Sequence, residues 1–226
     1  MLRPTFLKMT AVFVAASLFA IGAPLQPSHA TDVAAASGTT GPGSKGPEKK
    51  AKDQRPSVIS PVFRKLQKKR LAKLFRELSA ASDQRAANQV VGKIWATWMI
   101  SGSMDVDFLL NQARLAVQSG GVKEAYGALD RVVELAPDFA EGWNRRATLH
   151  YMLGRYDESV ADIQRTLALE PRHFGALSGL GMIYMAEKKW SAALKAFEKA
   201  AEVNPWLQNR KRIFRELKKK IEGQPL

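Results

Sequence analysis

The chain has 226 residues, 46% of them hydrophobic, with a formal net charge of +14 and no cysteine. That is enough apolar material for a sizeable core. It excludes a disulfide scaffold, a cysteine nucleophile and any thiolate metal site.

In chain order, the first 30 residues have a basic start at Arg3 and Lys8. A charge-free apolar stretch from Met9 to Leu25 follows, then Ser28-His29-Ala30. This pattern predicts a secretory signal peptide over 1–30. Gly22 and Pro24 break the stretch, which is short for a membrane span of about 20 apolar residues; an uncleaved anchor is the alternative. Residues 31–60 pass from Ala, Ser, Gly and Thr into Lys45, Lys49, Lys50 and Lys52. Such a segment cannot bury enough apolar surface to offset its ordering entropy, so a disordered linker is expected.

Residues 61–105 read as two helices. In the first, Phe63, Leu66, Leu71, Leu74, Phe75 and Leu78 form a stripe among Arg64, Lys65, Lys68, Lys69, Arg70, Lys73 and Arg76. A basic amphipathic helix of this kind either lies on an anionic surface or is a solvated cap, and the pattern fits both. In the second, Ala87, Val90, Val91, Ile94, Trp95 and Trp98 recur at helical steps, with Ser82 or Asp83 as the cap and Gly102 as the stop. An aromatic pair at this spacing is expected in the core rather than as a ligand platform.

From residue 106 a repeat takes over. Pro137, Pro171 and Pro205 stand 34 residues apart, each closing a run of helical periodicity. Proline lacks an N–H and biases the preceding residue away from helix, so it suits such a boundary. Twelve residues separate Ala113 from Ala125, Ala147 from Ser159, and Gly181 from Ala193. Small residues at those places let two antiparallel helices approach closely, with Leu129, Ile163 and Phe197 filling the space between pairs. Gly120-Gly121 and Gly154 fall where a left-handed turn residue is wanted. The chain closes with Trp206, Ile213, Phe214, Leu217 and Ile221 on one helical stripe, opposite Arg and Lys.

The third unit carries Leu177, Leu180, Gly181, Tyr184, Ala193, Phe197, Ala200 and Pro205; the second carries Trp143, Ala147, Tyr151, Gly154, Tyr156, Ile163 and Pro171. This pattern closely resembles the tetratricopeptide repeat. Gln112 and Ala116 in the first unit, and Ser159 in the second, depart from it. The resemblance implies an all-α, right-handed solenoid of antiparallel helix pairs, with repeats at 106–139, 140–173 and 174–207. Residues 61–105 then form a degenerate first pair capping one end, placing Ser79 on a small-residue site and Trp95 on a filler site. Residues 208–226 form a capping helix at the other end.

The resemblance also implies a protein-interaction module or scaffold. Its groove is lined by the first helix of each pair, here offering Asn111, Arg114, Asn144, Arg145, Thr148, Tyr151, Ser178, Met182 and Met185, with Arg114, Asn144 and Tyr151 as anchors. The family's clamp for a C-terminal carboxylate needs basic residues in the first helix of the last repeat, where this chain has Gly175, Ser178 and Gly179. The expected partner is therefore an extended or helical peptide or protein segment of another kind.

Charge divides along the same lines. Residues 106–205 hold 12 basic and 13 acidic residues, whereas 31–105 hold 14 against 6 and 206–226 hold 7 against 2. The excess sits at the two ends, which makes an anionic membrane surface the second candidate partner. Nucleic acid is not expected, since an exported protein rarely meets it. His29, His150 and His173 lack metal-ligand spacing, and no phosphate loop, HExxH or nucleophile elbow occurs. No enzymatic role, metal or cofactor is expected, and the bacterial periplasm is the expected compartment.

Overall fold

The structure, a computed structural model, describes residues 56–223. The expected leader and most of the linker lie outside the described residues. All regular structure among the described residues is helical: α1 (Pro61–Ser79), α2 (Gln84–Met99), α3 (Met104–Gln118), α4 (Val122–Leu135), α5 (Ala140–Met152), α6 (Tyr156–Leu169), α7 (Phe174–Ala186), α8 (Trp190–Val203) and α9 (Arg210–Glu222).

Three hairpins, α3–α4, α5–α6 and α7–α8, stack in sequence. The small residues do what their spacing predicts: Ala113, Ala125, Ala147, Ser159 and Ala193 are each no more than 3% exposed. A Cβ on Gly181 would stand 2.7 Å from the Phe197 ring. Ser159, where the repeat usually has alanine, donates its hydroxyl to the Ala147 carbonyl at 2.7 Å. Leu129, Ile163 and Phe197 are buried between pairs. The turns repeat as well: residues 120, 154 and 188 are all left-handed, with φ of 78°, 71° and 60°. Glycine occupies the first two at little steric cost, and Lys188 accepts the strained conformation.

At the C-terminal end, α9 buries Leu217 against Met182, Ala193 and Phe197, and its basic face stays outside. At the other end, the expectation that α1–α2 caps the stack in register is corrected. This hairpin lies across the loops joining one pair to the next. Three loop positions 34 residues apart touch it. Arg64 pairs with Asp138, Arg172 sits over the Phe75 ring at 4.3 Å, and Gln84 donates to the Trp206 carbonyl at 3.0 Å. Leu71, Leu74, Leu78, Val90, Ile94 and Trp98 close a core with Phe174, backed by Val203, Trp206 and Leu207. Ser79 is accordingly exposed rather than at a helix contact, and Trp95 packs on α7 rather than between pairs. The physical reason is the aromatic cluster: Trp98 is 3% exposed, stacks on His173 and meets Phe174, so its large apolar surface is buried on the start of α7.

The same burial corrects one reading of α1. Its stripe at Leu71, Leu74 and Leu78 is spent inside the protein, so that face is not free to enter a bilayer. Lys65, Lys68, Lys69, Arg70, Lys73 and Arg76 point to solvent, whereas Arg64 is half-buried on Asp138.

Candidate functional site

The first helices of the pairs, α3, α5 and α7, supply the expected groove residues, and the structure sorts these into three groups. Asn111, Arg114 and Thr148 belong to an accessible strip. Arg114 donates to Asn111 Oδ1 at 2.7 Å and to Gln118 Oε1 at 3.1 Å, which holds its guanidinium along α3. Facing it, a shallow depression between α3 and α5 is lined by Leu110, Val117, Arg145, Thr148, Leu149 and Met152 among others. Met152, 52% exposed, was not among the expected residues. It stands one turn beyond Thr148, and a methionine at a helix end carries no sequence signal separating groove from core.

Asn144 and Arg145 form the second group and are a correction. Each is 7% exposed and already committed to Glu141, itself 1% exposed. Arg145 Nε donates to one Glu141 oxygen at 2.7 Å, and Asn144 Nδ2 to the other at 3.0 Å. The second oxygen also meets His173 Nε2 at 3.1 Å. Since His173 Nδ1 accepts from the Ala176 amide at 3.1 Å, the ring proton must lie on Nε2 and point at the carboxylate. Burial pushes the Glu141 carboxyl up, but Arg145 and His173 outweigh it and hold it below the ordinary range. Trp98 stacks on His173 with centroids 4.1 Å apart, and Met99 Sδ lies against the Arg145 guanidinium. Asn144 is therefore part of a buried knot under the groove, not an anchor for a partner.

The third group lies toward α7. Tyr151 is half-buried against Tyr156, ring centroids 5.7 Å apart, and burial with that neighbour raises its hydroxyl pKa. Ser178 returns its hydroxyl to the Phe174 carbonyl at 2.8 Å. Met182 is 7% exposed inside the α9 cluster, with Met185 packed against it, so Met182 is interior rather than lining. Trp95 covers the start of α7, where a Cβ on Gly175 would come within 2.5 Å of the indole. The chain's own α2 thus fills the part of the groove above the third repeat.

Glu141 and His173 were missed by the sequence reading. A lone acid at a helix start and a lone histidine each have a sufficient local explanation, and 32 residues separate them. Arg146 was missed too: it bridges Asp130 and Asp162 at 2.7 Å each, tying α4 to α6. Those carboxylates overcome the effect of burial and raise its pKa further. No group of three histidines or acids among the described residues could hold a metal ion.

The tetratricopeptide repeat family model matches residues 110–165 and 145–205. A TPR repeat-containing protein of Rhizobium etli is 38% identical over 138 residues, 61% of this chain and 68% of that protein. Human superkiller complex protein 3 is 36% identical over 63 residues, 28% of this chain but only 4% of that protein. Among solved structures, the first TPR of Spaghetti (RPAP3), bound to the HSP90 peptide SRMEEVD, superposes with a TM-score of 0.51. It is 19% identical and spans 54% of this chain and 96% of that one. The Sgt2 TPR domain of Aspergillus fumigatus gives a TM-score of 0.50 at 21% identity, over 55% and 87% of the two chains. With the 34-residue register, the stacked hairpins and a bacterial relative matched over two thirds of its length, this chain belongs to the tetratricopeptide repeat family.

Proposed function

We propose that the chain is a non-enzymatic protein-interaction module that takes a peptide segment in the strip between α3 and α5. The observation that carries this reading is the depression itself. Its lining is mostly apolar, with Leu110, Val117, Leu149 and Met152, and the polar side chains among it are Arg114, Arg145 and Thr148. Arginine on an apolar ledge is a common centre of binding energy. A family neighbour holding an HSP90 peptide supports a peptide as ligand. The tail-binding clamp of such neighbours is not the model for this site, because Gly175 and Gly179 offer no cation and Trp95 lies over the first of them. The segment bound here runs past Arg114, Thr148 and Met152.

The test is selection of binders from a random peptide display library on the full chain, followed by Arg114→Glu and Met152→Ala. Both residues are outside the buried knot, so the melting temperature should hold while affinity falls at least about tenfold, roughly 1.4 kcal/mol. Selected peptides that bind both variants as tightly as the original protein would refute the site.

We further propose that the module works after export, in the periplasm, on the strength of the Arg3 to Ala30 leader. Edman sequencing of the native protein should begin near Thr31. Recovery of intact Met1 from membranes would overturn export as a soluble protein.

A further inference from the structure

The 34-residue register also orders the end faces of the repeats, outside the groove. Positions 108, 142 and 176 are equivalent, as are 115, 149 and 183. In the second and third repeats these positions are shut against the preceding pair's second helix. A Cβ on Gly142 would meet Val132 of α4 at 2.7 Å, and Leu149, Ala176 and Ile183 are no more than 3% exposed. The first repeat places Phe108 and Leu115 there, 67% and 50% exposed. A preceding pair in register would cover them, but α1 and α2 lie across the loops instead. Val62, Leu66, Ile100 and Met104 extend the exposed area. Phe63 against Gly102, and Gln67 on the Ile100 carbonyl at 2.9 Å, hold α1 beside the start of α3. Side chains of this number and size expose several hundred Å², a patch that marks an interaction surface rather than scatter.

Charge selects the occupant. The face of α1 that carries Val62 and Leu66 also carries Lys65 and Lys69 at three- and four-residue steps. Both lysines are exposed and have no acidic partner among the described residues. A two-fold contact between copies would bring these lysines toward each other, which opposes self-association. Residues 31–55 add further lysines and only Val33 as a large apolar side chain, so they cannot supply a stripe. We propose that the open end of the stack, Phe108 and Leu115 with the Val62–Leu66 shoulder, docks an amphipathic helix of a partner protein whose apolar stripe is flanked by carboxylates. The register makes the occupant a helix, because helices α4 and α6 cover the equivalent positions in the later repeats. α6 also shows the composition that fits: Val160 and Ile163 face the third repeat, with Asp157, Glu158 and Asp162 against one Arg165.

The probe is therefore a synthetic peptide of the Tyr156–Leu169 sequence, labelled and lactam-stapled because an isolated helix of this length is marginal in water. Fluorescence anisotropy with the full chain should show saturable binding that weakens as salt rises. Phe108→Glu with Leu115→Glu should cost at least about tenfold in affinity, as should Lys65→Glu with Lys69→Glu. Since all four side chains are exposed, far-UV circular dichroism should be unchanged and groove peptides should still bind. No saturable binding, or equal binding by the Phe108/Leu115 variant, overturns the proposal. So does light scattering that finds a dimer which this variant dissolves, since a second copy would then be the occupant. Binding of phosphatidylglycerol vesicles that the same variant abolishes would likewise assign the face to a bilayer.

Discussion

Replacing Glu141 by leucine tests the buried knot directly. The carboxylate is 1% exposed and accepts from Arg145, Asn144 and His173 at 2.7, 3.0 and 3.1 Å. Leucine fills a similar volume, so the effect is electrostatic rather than a cavity. It leaves the Arg145 guanidinium, whose side chain is 8% exposed, beside the Met99 sulfur without a counter-charge. Breaking one side of a buried ion pair costs about 3–5 kcal/mol, whereas apolar replacement of both sides is often neutral or stabilising. For a folded region of this size each kcal/mol moves the melting temperature by about 2–4 °C, so a fall of about 6–20 °C is expected. Urea unfolding followed by far-UV circular dichroism gives the free energy, and Glu141→Leu with Arg145→Met should recover most of the loss. A single variant costing under about 1 kcal/mol, or a double variant as unstable as the single, would refute the claim that the two charges depend on each other.

Three other outcomes follow from the geometry. Lys188→Gly should stabilise by about 1 kcal/mol, because it removes a left-handed lysine at the position where the other repeats use glycine; an unchanged urea midpoint would count against strain there. Gly181→Ala should destabilise by about 1–2 kcal/mol, since overpacking against Phe197 outweighs alanine's helix propensity. His150 is held below its ordinary 6.5, by burial first and then by the charges of Arg146 and Arg155, against the pull of Asp162 and Glu158. Below 6.5 the unfolded chain takes up this proton more readily, so stability falls as pH drops through the folded value. His150→Gln should flatten the urea midpoint between about pH 7 and pH 5 relative to the parent protein.

The solenoid was legible because each part of its signal is local. A 34-residue proline period, small residues twelve apart and glycine between helices all constrain neighbours in the chain. The position of α1–α2 was not legible, because Trp98 stacking on His173 is a choice between two apolar docking places that periodicity cannot rank. The groove followed the same division. Arg114 and Thr148 could be read from the face of their own helices. Asn144 and Arg145 looked equally available until Glu141, on their own helix, and His173, at the cap of α7, were brought beneath them. Sequence gave the face on which a side chain sits, not the partner that had already claimed it.

The cross-loop seat of α1–α2 also governs how the chain can fold. A stack of repeats has nearest-neighbour cooperativity, so it can fray from an end or grow unit by unit. Here the hairpin emerging first from the ribosome needs Phe174, Val203, Trp206 and Leu207 to complete its core, and these come about a hundred residues later. Until then Leu71, Leu74, Leu78 and Trp98 have only their own hairpin's Ala87, Val90 and Ile94 to pack on, and completing the core is a long-range closure of the kind that slows folding. Once made, it fastens the start of the array to its end. Losing the third repeat then strips the first hairpin of its support, so a truncated chain collapses at both ends together instead of shortening by one unit.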